Sequence, residues 1–463
     1  MCNHRYLLTA LRVTRLDPEK PVASPGPRAP RATPSGVLAT VLVCFALLSA
    51  AVLSLTPPWE ANDEPDHVQN VETLVSGHWY RITPHSNLES FQAPLYYLAL
   101  ALYQKLVRQP VHNPDGQLAP IADNQQHGNF VHTVPQDGVD QRLVDLLRLP
   151  SIVFGLIAIV ATYVAAKRVS RDRWTPVVAA AIVAGVPKFV FVSGTVNNDN
   201  LSNALGGVGL AGALVMLASS TITSRRRMAA AAGLGLVAGA LILTKVTAGL
   251  LAPGLLLAVI LRASSVKDII RQCLIFAIAA LAVVGWWLVQ NQIWYGDPLA
   301  LHATNVHQRE VFPAVLNVAG PLHRIFVDVP RDFYSSFWYD SGWNQFTWRW
   351  FWYVPFWGLA ALGVAGLVLI RRVGPRVASR APIAVTALLA FGALCSVWIV
   401  GIPTNTEQGR YAFMGLPAIA VLLALGYERL RMPPIARFIL PAIGLIGTVL
   451  AIRYHVIIPY LVR

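Results

Sequence analysis

Charge is what this sequence has least of. Only 13% of its 463 residues are Asp, Glu, Lys or Arg, while 55% are hydrophobic. A soluble domain of that length carries roughly twice the charge, so a soluble globular class is excluded. Cysteine is also scarce. Of the four, Cys2 lies in the N-terminal tail, and Cys44, Cys273 and Cys395 lie in or beside apolar runs. That pattern excludes a disulfide framework. No small-residue cleavage site precedes Pro57, and the apolar run 37–56 is long for a signal peptide. A cleaved leader is the rival reading; 37–56 reads better as an uncleaved first span. Residues 1–36 are rich in Pro, Arg, Ala and Ser, too poor in apolar residues to bury a core, and read as a disordered basic tail.

What the sequence has in quantity is apolar runs. Eleven are long enough to be candidate spans: 37–56, 148–166, 174–194, 201–219, 229–244, 247–261, 269–290, 351–370, 382–402, 411–427 and 436–453. The expected fold is therefore all-α, a polytopic membrane domain over 37–463 with about 11 spans. Runs 229–244 and 247–261 are separated only by Lys245 and Val246, which predicts a tight helical hairpin or one broken pair. Pro187 and Pro253 inside these runs are tolerable in membrane helices.

Loop charge orients the spans. With the N-terminus inside, the inside segments hold 23 of the 37 basic residues and only five of the 23 acids, and every short loop agrees in sign. The net charge of +14 is thus a topology determinant and not a nucleic-acid footprint. The expected location is the plasma membrane, with the N-terminus cytoplasmic. All long hydrophilic segments then face outside: a first extracytoplasmic loop, 57–147, a second, 291–350, and the turns 195–200 and 403–410. The spans themselves are nearly free of mid-depth charge. A transporter more often distributes polar groups there, so the pattern favours an enzyme or binder working at the outer boundary.

The densest polar stretch is 57–97. Glu60, Asp63, Glu64, Asp66, Glu72 and Glu89 fall within 30 residues, with His67 and His78 among them. Ionisable groups beside a membrane exit are a functional-site hypothesis; the alternative is a solvated acidic loop. Residues 91–106, FQAPLYYLALALYQKL, are apolar but short for a span. They read as an interfacial or re-entrant helix, with Pro94 in its first turn and Tyr96, Tyr97 and Tyr103 at headgroup level. His112, His127 and His132 lie in a polar stretch at irregular spacing, which reads as a solvated loop and not a metal site.

Four further outside features stand out. Asp199 in TVNNDN opens a span, either as its helix cap or as a substrate contact. Lys245 in TKVT sits at the outer end of a span, where an ammonium must snorkel or meet an anion. EQGRY places Glu407 and Arg410 just before a span, with Arg410 at the depth of lipid phosphates; the alternative is an interface anchor. The aromatic band 333–353, with Asp340 and Arg349, reads as an interfacial belt in preference to a sugar-stacking surface.

The acidic pair Asp63-Glu64 in PPWEANDEPDH, the following SGHWY, the QAPLYY stretch, the NNDN turn, the TK and the late QGRY come in an order that covers most of the chain. In that order they resemble the GT-C class of integral-membrane glycosyltransferases, which includes protein O-mannosyltransferases and lipid A aminoarabinose transferases. EANDEPDH, FQAPLYY, NND and QGRY also look like the DUF2142 membrane-protein family. QAPLYY is similar to the class's KPPLxYW segment, with Gln92 where that segment has lysine. The resemblance implies transfer of a sugar from a polyprenyl-phosphate donor to a glycan, lipid or protein acceptor on the outer side. Asp63 would be the base and Glu64 would orient the acceptor or the base. Arg410 and Lys245 would face the leaving phosphate. His67 would support Asp63, one helical turn away. Asp199, Gln92 and Glu407 join the expected substrate site. A divalent metal ion stays open as a cofactor, since some of the class use one and others do not. The competing readings are a flippase or transporter of lipid-linked sugars, and a non-catalytic envelope-assembly protein.

Overall fold

The computed structural model describes residues 33–83, 86–107, 141–219, 223–311, 320–342, 346–369, 380–404 and 408–461. Pro34–Arg463 forms one unit by itself. The tail 1–32, the histidines 112, 127 and 132, and Glu407 lie outside the described residues. The fold is all-α, apart from one two-residue pair of antiparallel strands, β1 (Asp340–Ser341) and β2 (Phe346–Thr347), in which Asp340 faces Thr347.

Each apolar run becomes a helix, because in lipid the backbone must satisfy its own hydrogen bonds. The long ones are α1 (Pro34–Leu55), α4 (Gln141–Val169), α7 (Asp199–Ala218), α8 (Ser224–Thr244) and α10 (Val266–Tyr295). They continue, beyond the outer segments, in α14 (Val354–Leu369), α15 (Arg380–Thr404), α16 (Leu416–Arg429) and α17 (Ile439–Ala451). Among the described residues nine helical segments are long and apolar enough to cross a membrane. A tenth is the bent pair α5 (Thr175–Ala184) and α6 (Pro187–Ser193), which turn by 64° at Pro187. The proline removes the N–H that would have continued α5.

The expected eleventh span is too short to count with these. Val246–Leu251 is a 3₁₀-helix leading into α9 (Ala252–Arg262). The tighter winding gives it more rise per residue, and together they extend roughly 28 Å, close to the hydrocarbon thickness of about 30 Å. The segment returns the chain to the end it left. Arg262 donates to the carbonyl of Ser219, and Arg227 reaches both Ser264 and Asp268. The hairpin α8–α9 is therefore real, and Lys245 is its tip. Helix α8 packs along α10 through Gly235 and Gly239; a Cβ at either would lie 2.3–2.4 Å from a carbonyl oxygen of α10. This small-residue spacing lets two membrane helices approach closely.

The loop charges sort into two ends. At one, Arg437 pairs with Asp172, Ser170 and Thr175 donate to Glu428, and Arg429 donates to Leu367. The other end carries Asp63, Asp199, Lys245 and Arg410, and is roofed by short elements. These include α2 (Glu64–Val75), α3 (Leu95–Val107), α11 (Leu301–Val311), the short turn α12 (Pro321–His323) and α13 (Val329–Ser336). As expected, α3 is too short to span. One correction applies to it: Tyr96 and Tyr97 are fully buried, facing the bundle and not the headgroups, while Leu102 and Leu106 are exposed.

The aromatic band also divides. Trp350, Phe351 and Trp352 are exposed, as a belt requires. Trp338, Tyr339 and Tyr353 are buried, and Tyr339 stacks on Trp348 at 4.6 Å between ring centres. Half the band is thus core and not interface.

Candidate active site

The first loop reaches the site because Arg148 pins it. Its guanidinium donates to the carbonyls of Leu53, Thr56 and Pro57, which end α1 without helical partners of their own. The same group forms a forked pair with Glu64 at 2.6 and 2.8 Å. Glu64 also accepts from the Val196 N–H, and its side chain is fully buried. Glu64 was expected to orient the acceptor or the base. Instead it turns into the bundle, with both oxygens engaged, and anchors the start of α2. Asp63, the residue before it, is thereby held as the N-cap in the left-handed region, φ 63°. Asp is among the residues that tolerate that region best.

Asp63 meets Arg410 across 347 positions of sequence. Arg410 Nη2 donates to Asp63 Oδ2, and Arg410 Nη1 lies 3.7 Å from Asp199 Oδ2. Lys245 Nζ donates to Asp199 Oδ1 and sits 4.6 Å from the centre of the Tyr411 ring. The four side chains form an alternating row of two carboxylates and two cations. Arg410 is buried and is oriented by Gln408, which accepts from its Nε. Gly409 allows this approach: a Cβ there would fall 2.3 Å from the backbone of Phe337.

Asp199 is not the helix cap. Asn197 Oδ1 accepts from the Asp199 N–H, which frees the aspartate for the ion pairs. Gln92 belongs to the same neighbourhood. It accepts from Asn198 at 2.9 Å and donates to Glu89 at 2.6 Å. His67 bonds the Tyr97 hydroxyl at 2.7 Å through Nδ1. Burial, then the positive charge of Arg410, pushes His67 down to about 3, so the ring is neutral at neutral pH. Asp66 is pushed up to about 7, by burial first and by Asp63 second. Glu89 is pushed up to about 8 by burial and again by Asp63.

Beside the row opens a cavity, partly continuous with solvent, with Asn62, Lys188, Asp340 and Arg410 on its walls. Lys188 and Asp340 form a second buried ion pair. Sequence reasoning missed Lys188 and Arg148. The signal for Lys188 was a single cation inside the apolar run 174–194; for Arg148 it was a cation at the first residue of the run 148–166. Among the described residues no group of three or more His, Cys, Asp or Glu could hold a metal ion. Asp63 and Asp199 are already matched by Arg410 and Lys245, a donor set that does not suit a divalent ion, and no step is derived through one.

Residues 143–288, from α4 to α10, match the family model described as dolichyl-phosphate-mannose-protein mannosyltransferase. ArnT from Cupriavidus metallidurans in the apo state is similar in structure. Its TM-score is 0.53 at 14% identity, covering 90% of this chain and 63% of that one. ArnT from the same organism bound to undecaprenyl phosphate gives 0.49 at 16% identity, with the same coverage. The archaeal oligosaccharyltransferase AglB from Archaeoglobus fulgidus, in complex with an inhibitory peptide and a dolichol-phosphate, gives 0.46 at 14%, covering 91% and 54%. The chain therefore spans less than two thirds of the length of each of these proteins. No curated protein matches the chain. The fold is similar to that of ArnT. It is a multi-pass membrane bundle roofed at one end.

Proposed function

We propose that the protein transfers a sugar from a polyprenyl-phosphate donor to an acceptor hydroxyl on the extracytoplasmic face of the plasma membrane, with its N-terminus cytoplasmic. The observation that carries this reading is Arg410, held between Asp63 and Asp199 at the roofed end of the bundle. A carboxylate able to act as a base and a cation able to bind phosphate are in direct contact there, which supports the reading. Arg and Lys are the side chains that stabilise charge developing on a phosphate oxygen.

In the reaction the acceptor hydroxyl attacks the sugar's anomeric carbon and the bond to the phosphate oxygen breaks. The hydroxyl proton passes to Asp63, and the phosphate keeps the bonding electrons beside Arg410 and Lys245. An arriving phosphate competes with Asp63 for Arg410, so donor binding releases the carboxylate that must take the proton. Asp199 keeps Lys245 and Arg410 aligned, Gln92 ties that row to the first loop through Asn198, and neutral His67 supports α2 beside Asp63. Glu64 is assigned a positioning role through Arg148. The transporter reading is not favoured, because the polar groups gather at one end and not at mid-depth.

The test is Asp63→Asn in purified full-length protein supplied with a polyprenyl-phosphate hexose. Transfer is expected to fall about a hundredfold to ten-thousandfold while thermal stability is retained. Transfer at the wild-type rate would remove Asp63 as base. If the Asp66 or Glu60 variant were dead instead, the loop would stand and the assignment would move.

A further inference from the structure

We infer that the cavity beside Arg410 is a subsite for an uncharged sugar, with the Lys188–Asp340 pair reading its hydroxyls; this rests on the proposed transfer reaction. Four observations converge. The cavity adjoins Arg410 and includes Asn62, next to Asp63, so it starts where the phosphate and the base meet. A sugar one bond away from a phosphate on Arg410 falls into this space.

Its walls, second, carry charges of both signs in equal number, Glu60 and Asp340 with Lys188 and Arg410. Lys188 and Asp340 are each about 95% buried and paired with one another. Together they offer donors and acceptors at zero net charge, which suits a ring of hydroxyls. A cationic or anionic sugar would compete for one partner and leave the other as an uncompensated buried charge, which is costly.

Unsatisfied polar groups, third, point the same way. Thr56 Oγ1 and Asn62 Nδ2 have no hydrogen-bond partner among the described residues, although both residues line the cavity and Thr56 is more than nine-tenths buried. Buried polar groups of this kind are normally matched, and a hydroxylated ligand would match them.

Ring surface comes fourth. Phe346 and His455 line the cavity and stack on each other at 5.4 Å, and His455 stacks in turn on Tyr339 at 5.4 Å. His455 lies where the last span widens into a π-helix, Ile452–Ile457, a local geometry frequent at functional sites. An apolar wall with a few convergent polar groups is the ordinary make-up of a small-molecule site.

The experiment uses full-length protein in nanodiscs and measures binding of four probes: polyprenyl phosphate, and polyprenyl phosphate carrying glucose, glucosamine or glucuronate. Wild type is expected to favour glucose over both charged sugars. Lys188→Gln should shift preference towards glucosamine and Asp340→Asn towards glucuronate. The single variants each leave a charge unpaired and can fail to fold. The double variant, Lys188→Gln with Asp340→Asn, leaves none. It should bind bare polyprenyl phosphate as wild type does and the glucose form about tenfold more weakly, the loss of roughly one good hydrogen-bonded contact. Equal binding of the three sugars by wild type, or unchanged glucose binding by the double variant, overturns the inference. So does a raised acceptor KM with donor binding intact, which would put the acceptor in the cavity. If none of the four lipids binds, the transfer reading itself falls. If all bind through Arg410 without discrimination, only the subsite falls.

Discussion

Asp66 sits three residues after Asp63 and shares its surroundings, yet its chemistry differs. Asp66 Oδ2 is buried without a hydrogen-bond partner among the described residues. Burial and the charge of Asp63 raise it to about 7, so it holds its proton well above the usual carboxylate range. A carboxyl raised in the folded state stabilises the fold at low pH, and that contribution is lost as pH rises through the folded value. Thermal stability should therefore decline between about pH 4 and pH 8, because the unfolded carboxyls ionise near 4 while folded Asp66 and Glu89 hold their protons up to about 7 and 8. Asp66→Asn should melt higher than wild type at pH 8 and equally at pH 4, measured by thermal unfolding in detergent. A constant difference across that range would show that Asp66 does not carry the effect. For Arg410 the expectation concerns geometry. Arg410→Lys keeps the charge but loses the fork that spans Asp63 and Asp199, so affinity for polyprenyl phosphate should fall at least tenfold or so. Unchanged lipid binding in Arg410→Ala would remove it from the phosphate site. Residues at this scale were legible in part. Asp63, Asp199, Lys245 and Arg410 stood out as charges beside apolar runs, and they converge. The pairing of Glu64 with Arg148 did not, because a carboxylate's partner 84 positions away cannot be read from the residues around either one.

At the scale of elements, α1, α2 and α4 are held together by one guanidinium. Arg148 closes the end of α1 and fixes the start of α2 from within α4. Arg148→Met alone would strand Glu64 as a buried charge, and breaking such pairs costs about 3–5 kcal/mol. The variant should express poorly or melt well below wild type. Adding Glu64→Leu should recover most of that stability, since apolar replacement of both partners is often neutral. Transfer should stay low in the double variant, because Asp63 loses its anchor. Recovery of both stability and transfer would show that the pair does not position Asp63. Sequence periodicity identified the helices but not the 3₁₀ entry to α9, since a change from four-residue to three-residue hydrogen bonding leaves the apolar pattern nearly unchanged. It also read the tyrosines of α3 as interfacial. A tyrosine facing lipid headgroups and one facing a buried polar network look identical in sequence, and only partners such as Asn197 and His67 tell them apart.

Among the described residues of the bundle, the basic turns gather at one end and the acid-rich row at the other. The sign alternation in sequence thus corresponds to a physical polarity of the bundle. Cysteine labelling tests which end faces out. His78→Cys, exposed near the roofed end, should react with an impermeant thiol reagent in intact cells. Arg225→Cys, exposed at the basic end, should react only after permeabilisation. Labelling of both from the same side would refute the orientation. Span existence was readable from hydropathy because the membrane leaves few alternatives to helix. The count was less so, because Val246–Arg262 is apolar enough to read as a span yet, at 17 residues, is too short to be counted with the others.

The row of Asp63, Arg410, Asp199 and Lys245 has a consequence for turnover. Two cations face two carboxylates, so the empty row is self-neutralised. On the proposed reading, the donor arrives as a phosphodiester and leaves as a phosphomonoester with more negative charge. The spent lipid should therefore cling harder than the fresh one. Asp63 is then a tethered rival for Arg410, present at high effective concentration because it is attached to the same chain. Once it has handed on its proton, it competes to evict the product, and release of the spent lipid becomes the natural slow step of the cycle.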